Sequence, residues 1–112
     1  MFRDTISGII LRGQQLAQKL GYPTANINCN ERLTEGVYGG FTTINSRNLN
    51  NWPSLLYFKD GILEVHLVDL DLCLYGSSIT VTIDQFIRPP LPYTTAEAMK
   101  TQIAIDLHQL QA

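Results

Sequence analysis

At 112 residues, with 45% apolar and only 16% charged side chains, the chain can build one core but not two, so a single domain over residues 1–112 with little disorder is expected. Its net charge is −2 and its eight lysines and arginines are scattered at positions 3, 12, 19, 32, 47, 59, 88 and 100, which leaves no basic stripe for a phosphate polymer, so no nucleic-acid partner is expected. No apolar run approaches the ~18 residues that span a bilayer, and the opening Met1-Phe2-Arg3-Asp4 turns charged at once, so no membrane partner, no signal peptide and a cytoplasmic location are expected.

Residues 5–12 read as a first strand, with Ile6, Ile9, Ile10 and Leu11 supplying apolar and β-branched types. Residues 14–20 are good helix formers, and Gly21 stands where a left-handed cap would end a short helical turn. Pro23 then forces Tyr22 toward an extended backbone, so the chain must turn before Thr24. If residues 24–27 continue as a strand, Thr24 and Asn26 emerge on one face while Ala25 and Ile27 take the other. Cys29 and Cys73 are too far apart for a Cys-x-x-Cys motif and read as thiols in a reducing compartment.

A long strand is expected over residues 36–44, with glycines where a bend or bulge would fall. Residues 46–51, with three asparagines, read as a turn, and residues 54–58 as a short strand. Asp60-Gly61 between apolar runs predicts a hairpin into a strand from Ile62 to about Val68. Residues 78–86 alternate cleanly, with Ile79, Val81 and Ile83 on one face, and the prolines at 89, 90 and 92 end the sheet region. After them the period becomes helical. Thr94 is the expected N-cap with Glu97 at N3, and Ala96, Met99, Ile103, Leu107 and Leu110 form an apolar stripe. Several short antiparallel strands followed by one amphipathic helix suggest a closed or split β-barrel with the helix laid against it.

The chain lacks a Gly-x-x-x-x-Gly-Lys-Ser/Thr phosphate loop, a Gly-x-Gly-x-x-Gly fingerprint, His-Glu-x-x-His and Gly-x-Ser-x-Gly, which leaves the common ATPases, dehydrogenases, zinc hydrolases and serine hydrolases without support. What it does contain is Gly8-Ile9-Ile10-Leu11-Arg12-Gly13, Leu20-Gly21-Tyr22-Pro23-Thr24-Ala25-Asn26-Ile27, Gly36-Val37-Tyr38, Leu63-Glu64-Val65-His66-Leu67, Leu74-Tyr75-Gly76 and Ile87-Arg88-Pro89, in that order. Over roughly residues 6–107 this set resembles the riboflavin kinase (flavokinase) family, including the kinase module of bifunctional bacterial FAD synthetases. The most specific part is Gly21-x-Pro23-Thr24-Ala25-Asn26.

The resemblance implies a mainly β fold, a six-stranded Greek-key (split) barrel with a C-terminal helix. It also implies ATP- and Mg²⁺-dependent phosphorylation of riboflavin to FMN, with ATP and ADP as the other small-molecule partners and a monomeric state. Thr24 and Asn26 would hold the metal, and Glu64 would be the general base. Gly8, Arg12, Gly13, Lys19 and Pro23 would join Thr24 and Asn26 around the nucleotide. Arg88 matches an arginine near the flavin, although a salt bridge from the strand end to the final helix would equally account for it. His66 reads as a structural hydrogen-bonding group, and Tyr75-Gly76 as a turn the barrel requires.

Two departures stand out. Ala17-Gln18 replaces the family's Gly-Arg, with Lys19 the candidate substitute cation. The family's Asn-Ile-Gly-x-x-Pro-Thr-Phe loop is missing, and Pro53 to Asp60 read as a shorter connection in which Tyr57 or Phe58 could supply an aromatic surface for the flavin. A degenerate module that binds flavin or nucleotide without turnover is the alternative these departures leave open. FAD synthesis is not expected, since 112 residues leave no room for a second catalytic domain.

Overall fold

A computed structural model describes residues 4–11, 24–30, 32–70, 75–92 and 94–111. Six strands form one antiparallel sheet: β1 (Asp4–Ile9), β2 (Ala25–Asn28), β3 (Gly36–Ile44), β4 (Leu49–Lys59), β5 (Ile62–Leu67) and β6 (Ser78–Arg88), followed by helix α1 (Ala96–Gln111). The strand order is β1-β6-β3-β4-β5-β2. A bridge between Leu11 and Asn26, in which the Leu11 N–H donates to the Asn26 carbonyl at 2.6 Å, draws the two edges together. The sheet thereby becomes the nearly closed barrel expected, with both edges largely protected. Among the described residues no helix is long and apolar enough to cross a membrane.

Strand alternation fills the barrel. Ile6, Ile27, Ile44, Leu56, Phe58, Leu63, Val65, Val81 and Ile83 point inward and are buried together. The only polar pair at the bottom of the burial scale among described residues is Thr42 and Ser54, whose hydroxyls meet at 2.7 Å while Ser54 Oγ donates to the Trp52 carbonyl, so neither is left unsatisfied. The Asp60-Gly61 turn forms as predicted, with φ of 54° and 75°, the two positive values that a tight hairpin turn demands. Gly76 also sits at positive φ, and its N–H binds the Ile10 carbonyl, so Tyr75-Gly76 is the structural turn expected.

Several boundaries differ from the sequence reading. The first strand ends at Ile9 rather than residue 12. The expected turn at 46–51 shrinks to a single 3₁₀ turn, Asn45–Arg47, with Asn48 left-handed, and β4 then runs eleven residues instead of five. Asn51 is accommodated at a register shift, with positive φ and its N–H on Thr43 Oγ1. Pro53 is tolerated because its carbonyl faces the β5 side, where it accepts from Val68 just past the last β4–β5 pair, Ser54 with Leu67. Its missing N–H therefore breaks no ladder. It follows that residues 53–60 are no loop at all but the end of β4 and its turn.

β5 stops at Leu67, and β6 continues two residues beyond the expected Phe86, to Arg88. The cap of α1 moves by one residue: Thr95, not Thr94, receives the Ala98 N–H on its hydroxyl and the Met99 N–H on its carbonyl, which puts Glu97 at N2. Ala96 is exposed, whereas Met99, Ile103, Leu107 and Leu110 face the barrel as predicted. The short helix expected over 14–20 and its cap at Gly21 lie outside the described residues.

Candidate active site

A row of directly paired residues crosses five strands on the outer face of the barrel. Asn26 of β2 opposes Glu64 of β5, Glu64 opposes Tyr57 of β4, Tyr57 opposes Val37 of β3, and Val37 opposes Arg88 of β6. Alternation makes this row possible, since Ala25, Ile27, Phe58, Leu63 and Val65 turn into the barrel and their neighbours turn out. Arg88 reaches the row through two register shifts, at Val37/Tyr38 and Gly39/Gly40. One shift alone would reverse the facing of the strand end; the second restores it.

Helix α1 and the Leu91-Pro92 segment lie over this face and leave a half-open cavity of about 400 Å³. Its floor is Val37, Leu55, Tyr57, Glu64, His66 and Arg88, with Thr24 at one margin. The helix contributes Met99, Gln102, Ile103 and Asp106. The size suits a small organic ligand, and the mixture of a broad apolar surface with few polar groups is the usual make-up of such sites.

At the polar margin the Thr24 hydroxyl donates to Glu64 Oε1 at 3.4 Å. Burial pushes the Glu64 carboxyl above its ordinary value, and the Thr24 bond opposes that rise. Beside Glu64, Asn26 is 9% exposed and does not itself line the cavity. Its Oδ1 is buried and has no hydrogen-bond partner among the described residues. Such an orphaned oxygen is costly in an isolated protein and suited to a ligand that brings its own positive charge. Among the described residues no group of three His, Cys, Asp or Glu could hold a metal unaided. The donors that are present, one hydroxyl, one amide oxygen and one carboxylate, are hard oxygens of the kind Mg²⁺ accepts when phosphates complete its shell.

The opposite end of the row is ionic. Arg88 donates from Nε to both oxygens of Asp106 at 2.9 and 3.1 Å, and from Nη2 to Oδ2 at 2.8 Å. Asp106 is 2% exposed and also accepts from Gln102 Nε2 at 3.1 Å. Arg88 therefore makes the salt bridge from strand end to final helix that was one of its two sequence readings, and it also lines the cavity. Burial raises the Tyr57 phenol; the Lys59 and Arg88 cations oppose that rise, while the Glu64 and Glu35 carboxylates add to it.

The sequence-derived candidates divide clearly. Thr24, Asn26, Glu64, Tyr57 and Arg88 gather on one face. Phe58 does not: it is 6% exposed inside the barrel, on the face opposite Tyr57, so it offers no surface to the cavity. Gly8 pairs with Ile79 in β1, with Ile27 packed 3.4 Å from where a Cβ would lie, and takes no part in this cavity. Arg12, Gly13, Lys19 and Pro23, like Ala17 and Gln18, lie outside the described residues. His66, read from sequence as structural, is 8% exposed and lines the cavity floor. Asp106 and Gln102 belong to no motif of the sequence. Their only trace in the sequence is a polar pair four residues apart beside the apolar stripe of the helix.

A family model for flavokinase, described as riboflavin kinase, matches residues 2–112. The chain belongs to the riboflavin kinase family. Among curated relatives it is 32% identical over 108 residues to a bifunctional riboflavin kinase/FMN adenylyltransferase of Mycoplasma pneumoniae, covering 93% of this chain and 40% of that protein. It is likewise 32% identical to the RNA-binding riboflavin kinase RibR of Bacillus subtilis, covering 91% of this chain and 47% of that one. A Pseudomonas fluorescens bifunctional riboflavin kinase/FMN adenylyltransferase is 34% identical, over 96% of this chain and 37% of that protein. This member of the riboflavin kinase family thus spans less than half the length of these curated relatives. Among solved structures, a riboflavin kinase from Trypanosoma brucei shares the fold at a TM-score of 0.69 and 16% identity, covering 99% of this chain and 80% of that one. A macrolide-efflux protein from Streptococcus pneumoniae superimposes at 0.81 with 21% identity, over 96% of this chain and 38% of its own.

Proposed function

We propose that this riboflavin kinase family chain transfers the γ-phosphoryl group of ATP to the ribityl 5′-hydroxyl of riboflavin, giving FMN and ADP in a Mg²⁺-dependent reaction. The observation that carries the reading is the cross-strand row that sets Asn26, Glu64 and Tyr57 side by side, with Thr24 bonded to Glu64 at the margin of a half-open, largely apolar cavity.

The roles follow from chemistry. Phosphoryl transfer asks mainly for positioning and charge neutralisation. The apolar surfaces of Val37, Leu55, Met99 and Ile103 form a slot for the flavin ring, and Tyr57 offers an aromatic face there. The ribityl chain then runs toward Glu64. A carboxylate whose affinity for a proton is raised by burial is a better base than an exposed one, and Glu64 accepts the 5′-hydroxyl proton as that oxygen forms its bond to the γ-phosphorus. The bond from the γ-phosphorus to the β–γ bridging oxygen breaks and ADP leaves. Thr24 Oγ1 and Asn26 Oδ1 would hold Mg²⁺, which when bound supplies positive charge to the nucleotide phosphates. The Thr24 hydroxyl also fixes the Glu64 carboxylate in place.

Incubation with riboflavin, ATP and Mg²⁺, followed by separation of the flavins, tests the reading. FMN should accumulate with the wild-type chain and fall by roughly 10²-fold or more with Glu64→Gln. Quenching of flavin fluorescence without any FMN would assign a binding module instead, and neither binding nor product would end the proposal.

A further inference from the structure

Asp106 is the most deeply buried charged group described in the chain, and it sits on the roof of the cavity, not in the barrel core. A carboxylate in such a place is costly unless its charge is matched and its lone pairs are occupied. Here both conditions are met: Arg88 grips it through Nε and Nη2, and Gln102, one helical turn earlier, binds its Oδ1. A helix-to-strand anchor alone could have been apolar, as Leu110 is where it lies over Gly39. The polar anchor differs in leaving an oriented cation behind.

The hydrogen-bond inventory of Arg88 makes this concrete. A guanidinium carries five N–H bonds in a rigid plane. Asp106 engages the Nε hydrogen and one on Nη2, and the Pro89 carbonyl takes one on Nη1 at 3.1 Å. Among the described residues one hydrogen on each terminal nitrogen has no acceptor, at the end of a side chain that lines the cavity. Because the fork is gripped from behind, those two donors have a fixed direction and cost little further entropy when a ligand accepts them.

Resting on the reading of the cavity as a flavin site, we propose that Asp106, braced by Gln102, is a positioning residue. It locks the Arg88 guanidinium so that its remaining donors meet a carbonyl-bearing edge of the flavin ring, and thereby sets affinity for flavin without acting on the phosphoryl group. Glu64 lies three strands away along the same row, with β3 and β4 between, so the clamp reads one end of the substrate and the base handles the other.

The test compares Asp106→Asn, Arg88→Lys and the double variant Arg88→Met/Asp106→Leu with the wild-type chain. Riboflavin and ATP KM values, kcat, riboflavin binding by fluorescence quenching, and thermal midpoints are measured for each. Asp106→Asn and Arg88→Lys should raise the riboflavin KM and dissociation constant by roughly tenfold or more, with much smaller changes in ATP KM. The double variant replaces the pair by apolar groups and so should recover its thermal midpoint while flavin binding stays weak. A merely structural pair predicts the reverse: a double variant that recovers both stability and riboflavin affinity would overturn the proposal. So would ATP KM rising in step with riboflavin KM in the single variants. If the wild-type chain neither binds nor phosphorylates riboflavin, the reading of the site fails first and the clamp falls with it. Flavin binding retained in both wild type and double variant removes the clamp alone.

Discussion

Burial holds the Glu64 carboxyl above its ordinary value near 4.5, and the Thr24 hydroxyl draws it partway back. The two influences make separable predictions. As a base, Glu64 must be unprotonated, so kcat/KM for riboflavin should rise with pH through the raised value, giving an acid limb above the normal carboxylate range. Thr24→Val removes the bond that favours the ionised form and should move that limb to still higher pH; a limb that stays put would separate Thr24 from the titration of Glu64. Stability runs the other way. A carboxyl that binds its proton more tightly when folded contributes stability fully below about pH 4.5, and this contribution is lost as pH rises through the folded value. Glu64→Gln should therefore melt at a higher temperature than wild type at neutral pH, with the gap closing below about pH 4.5, while catalysis is lost. Such a gain in stability would mark Glu64 as a residue kept for chemistry.

Helix α1 is held at three places along its length: the Thr95 cap at its start, the Asp106 pair in the middle and Leu110 near the end. The last depends on a missing side chain, since a Cβ at Gly39 would stand 2.6 Å from Leu110 Cδ1 and 2.9 Å from Gln85 Nε2. Gly39→Val should force the helix end outward and cost roughly 1–3 kcal/mol in a denaturation midpoint series. Because the same helix roofs the cavity, riboflavin KM should rise as well. Unchanged affinity alongside lost stability would mean that the roof is set by the cap and the Asp106 pair alone. At this scale the sequence was informative where period and turn chemistry acted locally. The hairpin at Asp60-Gly61, the exact extent of β3 and the proline stop after β6 could all be read from it. It was uninformative where long-range pairing overrode local preference. The asparagines at 50 and 51 read as a turn, yet β3 pairs with Leu49 and Trp52 on either side of them, so they fall at a register shift within β4 where Thr43 Oγ1 takes the Asn51 N–H. The Thr94/Thr95 choice was invisible for the opposite reason, as two adjacent hydroxyls are equivalent to any pattern and only the geometry of entry selects one.

Across the whole molecule, the cavity belongs to no single element. Alternation put Thr24 and Asn26 on one face of their segment, but the pairing of β2 with β5 that sets them beside Glu64 is a long-range contact that only the family resemblance implied. A salt bridge from Arg88 to the final helix was among the readings the sequence offered, but its partner Asp106 was not legible, because their meeting requires two bulges in β6 and a helix folded back over the sheet. This dispersed construction has a thermodynamic consequence. A ligand seated on the row touches strands drawn from both halves of the chain together with α1, so its binding free energy should stabilise the barrel as one unit and leave no part of it behind. At a riboflavin concentration 100-fold above its dissociation constant the gain is about 2.7 kcal/mol, which for a domain of this size corresponds to an increase of roughly 10 °C in the melting midpoint. The transition should stay single, and amide exchange should slow in β4, β5 and α1 together. If protection were confined to one hairpin and the midpoint did not move, the ligand would be bound outside the cavity beneath α1.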